Sequence, residues 1–423
     1  MKKYLILVFL VFLSSQVWAQ DSSFDDTSVV NNDGQSSDGQ SSVTSDSSSP
    51  QPDATAPDSS SDSGTPGMCE PQIATDDSYA DASTVATDSA VATTPAEFLV
   101  IGHMGAPMQA PDSTIESFQT ALDIGANAIE TDLCFTKDEQ IVFWHDWDPD
   151  SLIAHFREDG KLGLKCKPIF PDSGDAFRRP VCELTLDEFR EHYGFRLREA
   201  SGQDAPPPER VTYLGPTTSD EPVQPNYLKN KLPNQILTIE DFCAWAAGQD
   251  KLKRVFFDCK LTMKNKDMAD HYFAKMVSVV SQYGLNNKVI IMETENDLID
   301  VAKTYAVPAG IDVCHDQELA PGIIVHPSKF YTVPDAIKHD VAWAAVGKPV
   351  ITLFGSSIYK SILESDLSLI DQMKDKNLAV PLKGLIAWTI EDPAEMQTII
   401  KMGVRGIMTN HPDVLRQVVD SNQ

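Results

Sequence analysis

Glu130 and Asp132 stand one residue apart inside the apolar run "AIETDLCF". A strand places alternate side chains on opposite faces, so the two carboxylates share one face while Ile129, Thr131 and Leu133 take the other. Neighbouring carboxylates resist joint ionisation. A hard divalent cation that prefers oxygen ligands removes that penalty. A solvated strand face accounts for an isolated pair just as well, so the surroundings decide. The run "IVFWHD" follows a short polar turn and carries His145, and the earlier run "FLVIGHMG" carries His103. A third, "FFDCK", sets Asp258 and Lys260 on one face, and Trp388 closes a fourth. Four apolar strands tipped in this way are hard to explain as packing.

Such residues meet only if short strands are laid side by side. From Glu97 onward apolar runs alternate with amphipathic segments. The strand candidates are "FLVIGHM", "AIETDLCF", "IVFWHD", "RVFFDCKL", "KVIIMET", "AGIDVC", "VITLFG", "LIAWTI" and "GIMTN". Helical patterns such as "TIESFQTALDIG", "TIEDFCAWAAG" and "AEMQTIIKMG" lie between them and end in Gly, a common helix stop. Alternating strand and helix predicts a parallel sheet of α/β class. About eight strands in a domain of this length point to a (β/α)8 TIM barrel, with the ninth candidate as a hairpin arm or a false one. A doubly wound sheet is the alternative, but no Gly-rich phosphate loop follows the first strand. Residues 147–233 break the rhythm and read as a long loop insertion with one helix, "LTLDEFREHYG", over one barrel mouth.

The chain before the barrel is of another kind. Lys2 and Lys3, the apolar "YLILVFLVFL" and the small-residue "VWA" read as a signal peptide over residues 1–19. Residues 20–96 hold fourteen acids and no Lys or Arg, half of the formal net charge of −28. They read as a disordered acidic linker rich in Ser, Asp and Thr. The expected product is exported, periplasmic or secreted, without a transmembrane segment. The acidic balance argues against nucleic acid as a partner. Partner proteins are not legible. Seven cysteines leave at least one unpaired within the chain, and Cys166 with Cys182 is the best candidate disulfide. No cysteine spacing resembles a zinc site.

The run from His103 to Asp146 resembles the signature of the glycerophosphodiester phosphodiesterase family, within the PLC-like phosphodiesterase superfamily. The pieces are "GHMG", "PDSTIESF", "GANAIETD", "TKDEQ" and "HD", followed later by "ELTLDEF", "LTIEDF", "AWTIED" and "GVRGIMTNHPDVL". Together they span most of residues 98–418. Met104 stands where the family has an arginine, and Asp258-Cys259-Lys260 where it has Glu-x-Lys. "GHM", "FFDCK" and "GIMTNHPDV" look more like the sphingomyelinase D toxins, a phospholipase D branch.

The resemblance implies Glu130, Asp132 and Asp258 as ligands of one divalent cation, Mg²⁺ or Ca²⁺. It implies His103 and His145 as the acid–base pair, Lys260 as a phosphate contact, and Trp388 as a pocket wall. The implied activity is a metal-dependent hydrolase of lipid metabolism that cuts glycerophosphodiesters to glycerol 3-phosphate and an alcohol. The alternative is a phospholipase D- or sphingomyelinase D-like enzyme acting on lysophospholipid or sphingomyelin headgroups. A second alternative is an inactive barrel that binds phospholipid or a surface partner. Charge supports the metal. Three carboxylates and one lysine leave −2, which would repel a phosphodiester, each unit repulsion costing roughly 4 kcal/mol at about 4 Å and an effective dielectric of 20. Among the weaker candidates, Asp112 is expected to help open a helix, Glu293 could face the pocket, and His315 and His326 read as surface or loop residues.

Overall fold

The computed structural model describes residues 97–198, 225–233, 236–261, 263–318, 332–348 and 356–422. The signal peptide, the acidic linker, Cys69, His326 and the strand candidate "VITLFG" lie outside the described residues.

Eight parallel strands close into a barrel. They are β1 (Leu99–His103), β2 (Ala128–Phe135), β6 (Arg254–Cys259), β7 (Val289–Glu293), β8 (Asp312–Glu318), β9 (Trp343–Gly347), β10 (Gly384–Trp388) and β11 (Gly406–Thr409). Pairing runs from β2 through β6 to β11, and β1 joins both β11 and β2. This is the expected TIM barrel. The arm "IVFWHD" supplies β3 (Ile141–Phe143), which pairs antiparallel with the end of β2. The eighth stave is Trp343–Gly347, a run absent from the candidates above. Its sequence "WAAVG" carries two alanines, which are poor strand formers, and burial on both faces supplies what propensity withholds.

Alternation divides the apolar residues into two cores. Ile101, Ala128, Phe256, Ile290, Ala345 and Ile386 point into the barrel. Val100, Ile129, Leu133, Phe257, Ile291 and Leu385 point outward to the helices. Helix starts follow from local chemistry. Thr114 caps helix Ile115–Asp123 through Ser117 N, and Thr238 forms a capping box with Asp241 ahead of helix Ile239–Ala246.

The segment after β3 is more ordered than a long loop with one helix. Among the described residues it holds helices Leu152–Glu158 and Leu186–His192 and an antiparallel pair, β4 (Cys166–Ile169) with β5 (Gly194–Leu197). Its core is aromatic. The Trp144 ring lies 5.4 Å from Phe189 and 5.1 Å from Phe195 between centroids. That separate core explains the lost rhythm, because these elements pack on one another and not as barrel crossovers. Cys166 and Cys182 are both free, which corrects the expected disulfide. Cys166 is buried in this small core beside Trp144 and Phe170, while Cys182 sits in a half-exposed turn. No helix among the described residues is long and apolar enough to cross a membrane.

Candidate active site

Register alone collects the charged residues at one mouth. His103, the last residue of β1, pairs with Glu130, and Asp132 pairs with Asp258 across β2 and β6. One ligand oxygen from each of Glu130, Asp132 and Asp258 lies within 4.8 Å of the others. Lys260 Nζ bridges the two aspartates, at 2.8 Å from Asp132 and 2.6 Å from Asp258. His145 follows β3, and the Trp144 N–H donates to Asp132 O at 3.1 Å, which pins this arm over the acids. Trp388 closes β10 and donates from Nε1 to Asp316 Oδ1 at 2.7 Å.

His103, Asp132, His145, Asp258, Lys260 and Trp388 line one cavity of about 630 Å³. Glu130 lies behind His103, with Oε2 at 3.8 Å from Nε2. All seven residues singled out in the sequence thus converge on one end of the barrel. Met104, at the position of the family arginine, is buried with φ of +51°. Its N–H donates to Glu130 Oε2 at 3.1 Å. The next residue must be glycine. Gly105 has φ of +88°, and a Cβ there would meet Ser117 Oγ at 2.5 Å.

The electrostatics are those of a crowded acidic site. Burial, then Asp132 and Asp258, push the Glu130 carboxyl well above the usual range. Burial also opposes charge on Asp132, but Lys260 and the two histidines outweigh it and hold Asp132 low. Lys260 is raised because its two aspartates overcome its own desolvation. Burial lowers His103, against the pull of Asp132. Asp132 Oδ2 is buried without a hydrogen-bond partner. That orphan oxygen, beside a strained Glu130 and within reach of Asp258, fits the donor set of a hard divalent cation.

Several partners were not legible as such. Asn410 Oδ1 lies 2.9 Å from His103 Nδ1, and Asp146 Oδ1 lies 2.9 Å from His145 Nδ1. Lys348, just after β9, also lines the cavity and pairs with Glu395. The signal for Asn410 and Asp146 was present in "TNHP" and "HD", each polar residue directly following a strand end or its histidine. Asp112 does not open the helix. It accepts from Arg157 at 3.1 and 3.0 Å, while Thr114 takes the capping role. Glu293 turns away from the cavity, because alternation along β7 puts it with Ile291 on the helix side, where its Oε1 accepts from Thr294 N and Glu295 N. His315 is buried within β8, and burial takes it down to about 4, so a surface role does not hold.

Comparison with known proteins agrees with this geometry. The profile of the glycerophosphoryl diester phosphodiesterase family matches residues 103–414. A glycerophosphodiester phosphodiesterase of Bacillus subtilis is 27% identical over 127 residues, covering 26% of this chain and 43% of the relative. One from Caldanaerobacter subterraneus is 44% identical over 48 residues, 11% of this chain and 20% of the relative. The chain therefore spans less than half the length of these curated relatives. A crystal structure from Silicibacter pomeroyi, provisionally named a glycerophosphoryl diester phosphodiesterase, superposes with a TM-score of 0.54 at 16% identity. It covers 78% of this chain and 95% of its own, a likeness of fold. With the matched profile spanning most of the sequence, the chain belongs to the glycerophosphoryl diester phosphodiesterase family.

Proposed function

We propose that this protein is a metal-dependent phosphodiesterase that hydrolyses glycerophosphodiesters to glycerol 3-phosphate and an alcohol. The observation that carries the reading is the convergence of three carboxylates, two imidazoles and one lysine at a single barrel mouth. Glu130, Asp132 and Asp258 would hold one Mg²⁺ or Ca²⁺. The ion, when bound, supplies positive charge to a non-bridging phosphate oxygen and so stabilises charge that builds in the transition state. With it the site sums to about zero, and an anionic substrate is no longer repelled.

The chain's own residues do the rest. Lys260 contacts the phosphate from between Asp132 and Asp258. Trp388 forms a wall and fixes the orientation of the bound group. His103 is held by Asn410 and His145 by Asp146, both through Nδ1, which leaves each Nε2 to act on substrate. One imidazole takes the proton from the attacking oxygen, and the other protonates the leaving alcohol. The attacking oxygen is water or a neighbouring substrate hydroxyl, the latter giving a cyclic phosphate first. The leader-like residues 1–19 set this reaction outside the cytoplasm in the same reading.

A lysophospholipid substrate is the second reading, and one observation favours it. The cavity's far side is apolar, made by Trp147, Ile153, Leu162 and Leu164 of the inserted segment. Ile153 and Leu162 remain 37% and 39% exposed, room for an acyl chain. Assays of glycerophosphocholine, lysophosphatidylcholine and sphingomyelin with Mg²⁺, Ca²⁺ or chelator separate the two. Glycerol 3-phosphate and choline released from glycerophosphocholine support the first. Choline released from the lipids alone moves the reading to the second. Turnover of none rejects both.

A further inference from the structure

The inserted segment reaches the site through one side chain that the activity above does not use. Arg157, from helix Leu152–Glu158, is 3% exposed. Its Nε donates to Asp146 Oδ2 at 2.8 Å. One Nη donates to both oxygens of Asp112, at 3.1 and 3.0 Å, and the other Nη lies 3.8 Å from Met104 Sδ. The second oxygen of Asp146, Oδ1, meets His145 Nδ1 at 2.9 Å. Four side chains thus form one continuous line, Asp112, Arg157, Asp146 and His145. Its far end is an imidazole in the cavity. The three charged members are almost wholly buried, an arrangement that costs solvation and holds only with good geometry. Burial pushes Asp112 up, whereas Arg157 and His145 keep Asp146 below the usual carboxylate range.

A buried carboxylate on Nδ1 fixes which nitrogen of an imidazole carries the proton, and a charge-assisted bond from a guanidinium, itself anchored on Asp112, fixes the carboxylate. We infer that Arg157 is a positioning residue. It locks Asp146, and through Asp146 it sets the tautomer and ring plane of His145. The inserted segment then completes the acid–base pair, in addition to walling the cavity. The inference rests on the phosphodiesterase reading for the use of His145, but the brace can be tested without substrate.

The experiment uses the full chain, labelled with ¹⁵N-histidine and loaded with Mg²⁺. The His145 signal is assigned by its loss in His145→Gln. The expected result is a proton on His145 Nδ1, shared with Asp146, read from long-range ¹H–¹⁵N correlations. Asp146→Asn should flip that tautomer and lower kcat for glycerophosphocholine by about 10³-fold or more. Arg157→Met should lower kcat by roughly 10–100-fold with KM nearly constant, and Arg157→Lys should recover part of the loss. A wild-type His145 protonated at Nε2 and not at Nδ1 overturns the inference, even if Arg157→Met fails to fold. So does an Arg157→Met enzyme with unchanged kcat and raised KM, which would make Arg157 a direct substrate contact. Because the tautomer is read without turnover, failure of the phosphodiesterase reading and failure of the brace are distinguishable.

Discussion

Burial and two neighbouring carboxylates oppose ionisation of Glu130. It is buried, faces Asp132 and Asp258, and its folded-state value lies well above the ordinary 4.5. The folded protein therefore keeps a proton that the unfolded chain would release. Stability from this group is full below about 4.5 and is lost as pH rises through the raised value. In chelator, wild type should lose thermal stability from pH 5 to pH 8 more steeply than Glu130→Gln. Added Mg²⁺ or Ca²⁺ should restore the wild type only, by about 2.7 kcal/mol at a hundredfold excess over Kd. Parallel melting curves for the two proteins would show that Glu130 is not the strained group. The histidines make a separate prediction. His103→Ala and His145→Ala should each cut kcat by about 10²–10⁴-fold while circular dichroism stays unchanged. An active His145→Ala enzyme would remove proton transfer from the scheme.

At the scale of elements, strand register does the assembling. Pairing Asp132 with Asp258 and His103 with Glu130 across adjacent staves is enough to build the cluster. This part was legible, because period-two alternation declares which residues share a face, and strand ends declare a barrel mouth. The stave Trp343–Gly347 was not legible, since its alanines become a strand only between β8 and β10. Arg157 was hidden for a related reason. Nothing local ties an arginine on a short helix to Asp112, 45 residues earlier, until the inserted segment has packed. That packing hangs on Trp144, 1% exposed among Phe170, Phe189, Tyr193 and Phe195. Trp144→Ala should destabilise the segment by about 3–5 kcal/mol. Limited proteolysis should then cut within residues 147–198 before the barrel staves. Because His145 is the next residue, activity should fall before the global unfolding transition. Cleavage spread evenly over the chain would mean that the segment has no core of its own.

At the scale of the whole molecule, an acidic protein is asked to receive an anionic substrate. The formal net charge is −28, and even the mouth of the barrel is negative when its carboxylates are ionised. In the proposed reading a local cation would reconcile the two, because Lys260 supplies only one charge against three. Long-range steering then works against association of a net anion, and raised ionic strength should lower KM for glycerophosphoglycerol or leave it unchanged. A KM that climbs steeply with salt would point to a positive surface around the mouth.

The most direct measurement pairs ion binding with turnover in one preparation. Protein freed of divalent ions with chelator is titrated with Mg²⁺ or Ca²⁺, and bound ion and glycerophosphocholine hydrolysis are followed together. The account predicts no hydrolysis at the start, recovery in step with one bound ion per chain, and neither binding nor recovery in Glu130→Gln. Full hydrolysis in the ion-free protein, or recovery in Glu130→Gln equal to wild type, would contradict it.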